Sequence, residues 1–396
     1  MINKNVLNTD CQFFINNNLN KDINKLLLGK IDLKGVTKQE IANQILAKKK
    51  SEKKLPTWFT NSNIIYPSKI SIEQTSSEIA ANFKSELIGG KSLIDLTGGF
   101  GVDAFYFSKK FDEVFHCEIN EKLSHIVSHN FKALDVKNIE TIIGNGISYI
   151  QQTDKTFDCI YIDPSRRNEN KGKVFLLKDC LPNVPENIDL LFSKSDTILI
   201  KNSPILDISS TIKELKYVKT VYIVAINNEV KELLFLLKKD YKEGIKIHTC
   251  NLKNKSREQF SFVYQTSNEA TYHLPINFLY EPNAAILKSG GFNEVSNQLK
   301  LLKLHNNTHL YTSKELADTF PGRTFQIEKY FKYNKKQLKK EITETKANIT
   351  TRNFPKSVAE LRKETKLKDG GDVYLFFTKD LDNTLIVLKC KKINSK

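Results

Sequence analysis

Between residues 91 and 265 the sequence alternates short apolar runs with stretches of helical periodicity. The runs include SLIDL, EVFHC, TII, CIYI, TILI and TVYIVAI, and the stretches between them include EKLSHIVSHNFKAL and EVKELLFLLKK. Continuous apolar runs are typical of strands buried on both faces, and intervening helices connect such strands in parallel. The pattern therefore predicts an α/β fold with a Rossmann-like parallel sheet. Two final runs, IKIHTC and QFSFVYQ, lie close together and predict an antiparallel edge.

The segments on either side of this region have a different character. Residues 1–50 have helical periodicity, a charged break KKKSEKK follows, and Thr75 and Glu78 have the spacing of a capping box before another helix. After about residue 270 the chain is α+β, with a basic stretch KYFKYNKKQLKKEI, a turn KDGGD and strand runs VYLFFT and TLIVLKC. These shifts predict four regions: N-terminal helices (1–70), the α/β domain (71–268) and two small α+β domains (269–322 and 323–396).

The net charge of +16 is unevenly distributed. Residues 1–88 have a net charge of +5, residues 89–250 are neutral, and residues 251–396 have a net charge of +11. A basic flank often binds a polyanion, most commonly nucleic acid, although an AT-rich gene would also enrich lysine. Charge alone does not separate RNA from DNA.

Several classes of protein are disfavoured by what the sequence lacks. No apolar run approaches the roughly 18 residues of a membrane helix, and the N-terminal residues show no apolar core of a secretion signal. The six cysteines are scattered, without CxxC pairs or zinc-ligand spacing. We therefore expect a cytoplasmic protein with reduced thiols, no membrane partner and no metal site; the sequence does not indicate the oligomeric state.

The first candidate site is a glycine-rich turn, DLTGGFGVD at residues 95–103, between an apolar run and a helical stretch. Glycines let the backbone approach a ligand closely, and the N-terminus of the next helix offers free N–H groups. The spacing Gly99-x-Gly101-x-x-Ala104 also fits the fingerprint of a dinucleotide site. A tight turn without a ligand is the alternative.

Two further polar residues follow the next two strands. Glu118 ends the run EVFHCE, where a carboxylate can accept hydrogen bonds from the ribose hydroxyls of a nucleoside. Asn145, in Gly144-Asn145-Gly146, could pair with an adenine edge. NAD(P) and S-adenosylmethionine (SAM) both satisfy this pattern, so the residues up to this point leave the nucleotide open.

The motif that decides the class is DPSRR at residues 163–167, directly after the strand CIYI. Proline forces the preceding Asp163 into an extended conformation and presents its carboxylate at the carboxyl edge of the sheet. A carboxylate there can orient an acceptor N–H and stabilise the charge that develops during methyl transfer. Arg166 and Arg167 are two of only six arginines, which favours contact with phosphate or a stacked base.

In order and spacing, these motifs resemble class I SAM-dependent methyltransferases over about residues 70–265. The whole chain resembles a bacterial family that joins such a core to a ferredoxin-like segment and a C-terminal THUMP-like domain. The residues that carry this resemblance are EQTSSE (73–78), DLTGGFGVD, DPSRR, KNSPILD (201–207), YEPNAAILKSG (280–290) and TTRNFP with LKDGGDVYLF (350–376).

The resemblance implies SAM as cofactor and, through the THUMP-like domain, an RNA substrate such as tRNA or rRNA. It implies two groups of site residues. Those implied at the cofactor are Asp95, Gly98, Gly99 and Gly101 around the methionine moiety, Glu118 at the ribose and Asn145 near adenine, with Thr97 and Asp103 as further cofactor-binding residues. Those implied in the catalytic loop are Asp163, Pro164, Arg166 and Arg167.

The catalytic loop departs from two known patterns. It lacks the aromatic that stacks a flipped base in amino-methylating enzymes, and Asn202-Ser203-Pro204 stands where 5-methyluridine enzymes carry a nucleophilic cysteine. Carbon methylation is therefore disfavoured, and nitrogen or ribose-oxygen acceptors remain, with a base nitrogen of structured RNA as our first expectation. Two alternatives are an NAD(P)-dependent oxidoreductase and a non-catalytic RNA-binding protein on the same fold.

Overall fold

The structure is a computed structural model that describes residues 2–166, 176–254, 256–266 and 268–393. The chain forms two units, the first from residues 1–219 and 233–243 and the second from residues 220–232 and 244–396. In the described part of the chain, no helix has both the length and the apolar character to cross a membrane. Arg167, one of the predicted catalytic-loop residues, lies outside the described residues.

The helices of the first unit either precede the sheet or connect its strands. Those that precede the sheet are α1 (Thr9–Asn17), α2 (Ile23–Leu28), α3 (Lys38–Lys54), α4 (Pro56–Thr60), α5 (Lys69–Gln74) and α6 (Glu78–Ser85), after a 3₁₀ turn at Lys4–Leu7. Those that follow are α7 (Val102–Phe107), α8 (Glu121–Ala133), α9 (Gly146–Gln152), α10 (Val184–Lys194) and α11 (Ile208–Glu214), with a 3₁₀ turn at Leu177–Asp179.

The strands of the first unit form the parallel sheet that the apolar runs predict. They are β1 (Gly90–Asp95), β2 (Phe111–Glu118), β3 (Ile139–Ile143), β4 (Cys159–Ile162) and β7 (Thr197–Asn202), with a short ribbon of β5 (Ser165–Arg166) and β6 (Cys180–Leu181). The parallel order is β3-β2-β1-β4-β7. The order reverses direction between β1 and β4, and in such sheets ligands bind outside the carboxyl ends of the strands at this point.

One predicted helix is wrong. EVKELLFLLKK contains a strand, β9 (Glu229–Lys238), which follows β8 (Val218–Ile226); residues 233–238 pair antiparallel with β7. The two residues between the strands, Asn227 and Asn228, both have positive φ (49° and 66°), as a tight two-residue hairpin requires. A continuous apolar run fits a buried strand as well as a buried helix, so periodicity could not separate them.

Two details near the N-terminus also differ from expectation. The charged run KKKSEKK does not end the helix: α3 continues through it to Lys54, and several of its lysines face solvent. The predicted capping box at Thr75 is not formed; Ser77 is the N-cap of α6, its hydroxyl accepting from the Ala80 N–H. Glu78 instead accepts bonds from the backbone N–H and hydroxyl of Thr57.

The second unit contains the remaining elements. The predicted antiparallel edge is present as β10 (Lys246–Leu252) with β11 (Arg257–Val263), and β10 also pairs in parallel with β8. A seven-stranded sheet has the order β13-β14-β12-β15-β18-β17-β16. Its strands are β12 (Phe278–Pro282), β13 (Leu302–Lys303), β14 (Tyr311–Ser313), β15 (Gly322–Lys332), β16 (Asn348–Thr351), β17 (Val373–Lys379) and β18 (Leu385–Ile393). The helices of the second unit are α12 (Ala284–Ser289), α13 (Phe292–Leu299), α14 (Lys335–Glu341) and α15 (Val358–Thr365).

Candidate active site

The glycine-rich turn between β1 and α7 packs tightly on one side and is open on another. A Cβ on Gly98 would lie 2.5 Å from the Cys117 carbonyl oxygen and 2.7 Å from Nε2 of the buried His116 ring. Gly99 has a positive φ of 64°, and the nearest atom to a Cβ there would be 3.9 Å away. Close packing therefore demands glycine at position 98, while the backbone of Gly99 is accessible, as a cradle for a ligand requires.

The Thr97 side chain connects this turn to the DPSRR loop. Its hydroxyl donates to Oδ1 of Asp95 at 3.1 Å and accepts from the backbone N–H of Asp163 at 2.7 Å. The Thr97 backbone N–H also donates to Asp95, at 2.9 Å. Because β1 and β4 are adjacent parallel strands, these loops leave the sheet side by side. The two motifs that sequence reasoning ranked highest are thus joined by hydrogen bonds through one threonine.

Glu118 lies at the end of β2, and both of its carboxylate oxygens accept backbone hydrogen bonds. The Gly99 N–H donates to Oε2 at 2.8 Å, and the Asn120 N–H donates to Oε1 at 2.7 Å. Burial nevertheless raises the pKa of Glu118. The carboxylate is therefore held in a fixed orientation beside the open glycine, and each oxygen keeps a lone pair for a further donor.

The Asp163 side chain is paired with Lys201, which ends the apolar run TILI of β7. The lysine Nζ donates to Oδ2 of Asp163. The other carboxylate oxygen, Oδ1, accepts no hydrogen bond from the described residues, and the side chain is 35% exposed. Burial raises the pKa of Asp163, and the adjacent Lys201 charge opposes that rise. One oxygen is thus fixed by a cation while the other is available to a ligand.

A second acid, Asp103 of α7, lies in a buried network. Lys84, which has no exposed surface, places its Nζ 3.1 Å from Oδ1 of Asp103. Tyr161 and Ser76 donate hydroxyl hydrogen bonds to Oδ2 at 2.8 and 2.9 Å. Burial acts to raise the pKa of Asp103, but Lys84, Lys201 and the hydroxyl donors outweigh it and lower the pKa. Asp103 is therefore charged, with Oδ2 accepting from two hydroxyl groups and Oδ1 facing the Lys84 ammonium without a hydrogen bond.

Asp95 has no lysine partner among the described residues, and its pKa shifts in the opposite direction from that of Asp103. Burial, with the negative charges of Asp103 and Asp163, raises its pKa to about 8. Asp95 is therefore largely neutral near pH 7.

A pH dependence of stability follows from Asp95. Between its ordinary pKa of 3.8 and about 8, the folded state keeps a proton that the unfolded chain releases, so the free energy of unfolding falls as pH rises through this range. We expect the urea midpoint to fall between pH 7 and 8, and Asp95→Asn to flatten that fall. His116, whose pKa burial lowers from 6.5 to about 4, changes stability with the opposite sign and mainly between those two values, so the comparison is made from pH 7 to 8. Fluorescence of Trp58, the single tryptophan, reports unfolding of the first unit, and an unchanged slope in the variant would contradict the assignment.

The remaining predicted residues have more limited descriptions. Asn145 is the N-cap of α9, its side-chain oxygen accepting from the N–H groups of Ile147 and Ser148. Pro164 is buried, and the Arg166 backbone pairs with Cys180 in the β5–β6 ribbon. The Asn145 oxygen is thus already used in capping, which leaves its NH₂ group as the part that could meet an adenine.

Sequence reasoning missed the two lysines of the site. Lys201 lies near the carboxyl end of the buried strand β7, just as Asp163 follows β4. A charged residue at that position in the sequence indicates a site at the same edge of the sheet. Lys84 occupies a short helix with no comparable pattern, and only its burial against Asp103 distinguishes it.

Comparison with known proteins identifies the class of fold. The crystal structure of a proposed methyltransferase from Porphyromonas gingivalis W83 matches with a TM-score of 0.88 and 32% identity, covering 97% of each chain. Family models match residues 278–321 as a ferredoxin-like domain and residues 322–392 as a THUMP-like domain. The chain therefore belongs to the family of the P. gingivalis protein, in which a class I methyltransferase fold is joined to ferredoxin-like and THUMP-like domains. The resemblance and the fold class inferred from the sequence are confirmed, whereas the four domain boundaries stay predictions.

More distant structures also match. A methyltransferase from Streptococcus mutans, described as putative and solved in complex with SAH, has 16% identity and a TM-score of 0.30, covering 41% of this chain and 96% of that one. The M. jannaschii tRNA m1G37 methyltransferase has 13% identity and a TM-score of 0.31, covering 42% and 51%. Similarities at this level establish neither cofactor nor substrate. The comparison with curated proteins gave no match at the significance required.

Proposed function

We propose that this protein is a SAM-dependent methyltransferase that acts on RNA, with a base nitrogen as the acceptor. The observation that carries the proposal is the Asp163 carboxylate, which is joined through Thr97 to the glycine-rich turn and through Oδ2 to Lys201. Its Oδ1 accepts no hydrogen bond from the described residues, which supports a role for this oxygen in accepting one from an N–H of the base that is methylated.

The cofactor residues fit SAM as a group. Gly99 offers an open backbone, and Glu118 is fixed beside it with lone pairs for ribose hydroxyls. We assign the methionine moiety to the turn from Asp95 to Asp103, with Thr97, Gly98 and Gly101 shaping it, and the adenine to the neighbourhood of Asn145. When bound, SAM supplies a methyl group on a positively charged sulfur, which is already an activated donor.

The protein's own contribution is orientation and electrostatics. Oδ1 of Asp163 accepts a hydrogen bond from an N–H of the base that is to be methylated. This bond orients the nitrogen lone pair, and the carboxylate stabilises the positive charge that develops on the nitrogen. The Lys201 charge favours the ionised form of this carboxylate and opposes the effect of burial on its pKa. Pro164 restricts the loop, and we assign Arg166 and Arg167 to contacts with RNA phosphate or base. The +11 charge of residues 251–396 supports a polyanion as the partner.

Calorimetric titration followed by transfer assays tests the proposal. Purified protein should bind SAM and not NAD⁺, and should transfer radiolabelled methyl groups from SAM to RNA from cells that lack the protein. Binding of NAD⁺ without SAM would support an oxidoreductase. RNA binding without any transfer would support the non-catalytic alternative, and transfer to DNA alone would overturn RNA as the substrate. Mass spectrometry of the RNA nucleosides identifies the methylated atom.

The Lys201–Asp163 pair predicts a shifted pH profile. In Lys201→Met, burial should raise the pKa of Asp163 further, so the carboxylate is protonated to a higher pH and the rising limb of kcat/KM against pH moves upward. We expect a loss of about tenfold at pH 7 that diminishes at alkaline pH. Lys201→Arg should restore much of the wild-type profile, because it keeps the charge. A uniform loss at all pH values would indicate a structural role instead.

A further inference from the structure

Glu281 of the second unit is a buried carboxylate held by two arginines. It belongs to the segment YEPNAAILKSG, lies in β12 and is 3% exposed. Arg323, directly opposite in β15, donates from Nε to Oε2 at 2.7 Å and makes a second contact through Nη2. Arg352, from the segment TTRNFP, donates from Nη2 to Oε1 at 2.9 Å. Segments 71 residues apart in the chain therefore converge on one acid.

The positive charge of the two arginines exceeds the negative charge of Glu281. Both contacts from Arg323 fall on Oε2 and Arg352 supplies the bond to Oε1, so two cations bind one carboxylate and one positive charge is left in excess. Arg352 makes no other side-chain hydrogen bond among the described residues, and its Nε is buried without a partner. The two arginine side chains are 39% and 36% exposed, so an extended ligand could reach both. Unused guanidinium donors held in place by a buried acid are a preorganised anion site.

The surroundings of Arg352 add further cationic groups. Lys303 is 1% exposed and donates to Oδ1 of Asn293 and to the Asn306 carbonyl, without a carboxylate partner in the described part of the unit. Burial lowers the pKa of His309 to about 4, and the charges of Lys303 and Arg352 lower it in the same direction. Lys303 and Arg352 therefore both contribute positive charge near His309.

We propose that Arg323 and Arg352, oriented by Glu281, form a binding site for a phosphodiester group of nucleic acid. This inference rests on the proposed RNA substrate and deepens it by assigning a backbone contact to named residues of the second unit. Arginine suits a phosphate because its planar fork donates two parallel hydrogen bonds. The chain uses arginine sparingly, with only six, yet two of them meet at this acid. Phosphate contacts position RNA without reading its sequence.

The test uses the full chain and a fluorescein-labelled single-stranded RNA of 20 nucleotides with mixed sequence. Arg352→Gln should weaken binding, measured by fluorescence anisotropy, by at least about tenfold, and should lower the slope of log K against log salt by about one. Glu281 keeps both contacts from Arg323 in this variant, so folding should persist. If Arg352→Gln does not fold, the double variant Glu281→Gln/Arg352→Gln leaves no unpaired buried acid and should show the same loss of RNA affinity.

Lys231→Gln is the matched control, because it removes one charge from an exposed position on β9 of the same unit, outside the basic region 251–396. It should change affinity by less than about threefold. Equal losses in the two variants, or no loss in Arg352→Gln, would overturn the site. Competition by polyglutamate as effective as that by RNA of equal charge would overturn the phosphate assignment.

The outcomes separate this site from the proposed function. Arg352-dependent RNA binding in a protein that binds no SAM would support the phosphate site and contradict the methyltransferase proposal. Methyl transfer to RNA, with an RNA affinity that does not depend on Arg352, would support the methyltransferase proposal and contradict the phosphate site.

Discussion

Asp163→Asn should lower kcat for methyl transfer by about 10²–10³-fold while the Kd for SAM changes by less than about threefold. Asparagine has nearly the same shape, but it carries no negative charge to stabilise the acceptor as it becomes cationic. It also leaves the backbone N–H of residue 163 free to donate to Thr97, so the link to the glycine-rich turn should persist. Rates are measured by single-turnover transfer of labelled methyl to RNA, and cofactor affinity by calorimetry.

A surface aspartate provides the control for this prediction. Asp189 lies on α10, is 79% exposed and pairs with Lys216, so Asp189→Asn removes the same charge away from the cleft. Its transfer rate should remain within about twofold of wild type, because exposed ion pairs contribute little. If Asp163→Asn retains full activity, the carboxylate does not act on the acceptor and the proposed mechanism is wrong.

Lys84→Met should be the most destabilising of the substitutions considered in the first unit. Removing one partner of a buried pair leaves the other charge, here Asp103, without the cation that contacts it, and costs about 3 kcal/mol in the free energy of unfolding. The loss should be greatest at neutral and alkaline pH, where the carboxylate is ionised, and smaller in acid, where it takes up a proton. Urea unfolding followed by Trp58 fluorescence measures the change.

A double variant separates charge from packing at this pair. Lys84→Met/Asp103→Asn removes both charges and should recover much of the stability, since Asp103 is then no longer a buried acid that has lost its lysine. Lys122→Met, at an exposed position of α8, should change the free energy of unfolding by no more than about 0.5 kcal/mol. A double variant as unstable as the single one would show that the lysine stem, and not its charge, stabilises the helix.

Much of the α/β fold could be predicted because its strands are buried on both faces. Burial makes each strand a short apolar run, and the residues that follow these runs lie by geometry at one edge of a parallel sheet. The glycine-rich turn and DPSRR loop could therefore be assigned to a common edge without a structure. The same logic failed for β9, where the apolar run EVKELLFLLK fits either a helix or a strand and the hairpin at Asn227 and Asn228 decides.

The pairings within the site could not be predicted, because they join residues far apart in the chain. Lys201 lies 38 residues from Asp163 and reaches it because β7 is hydrogen-bonded beside β4. Lys84 and Asp103 come from different helices, and their burial together depends on how these helices pack. No local pattern carries that information.

The amino-acid sequence by itself determined the order of elements, the glycine positions and the identity of the acid at the sheet edge, because these depend on local patterns of apolarity and backbone freedom. Only the tertiary structure decided which cation neutralises which acid, both at Asp163 and at Glu281. Charge pairing depends on distance and burial in space, and these are fixed only when separate strands and helices pack together.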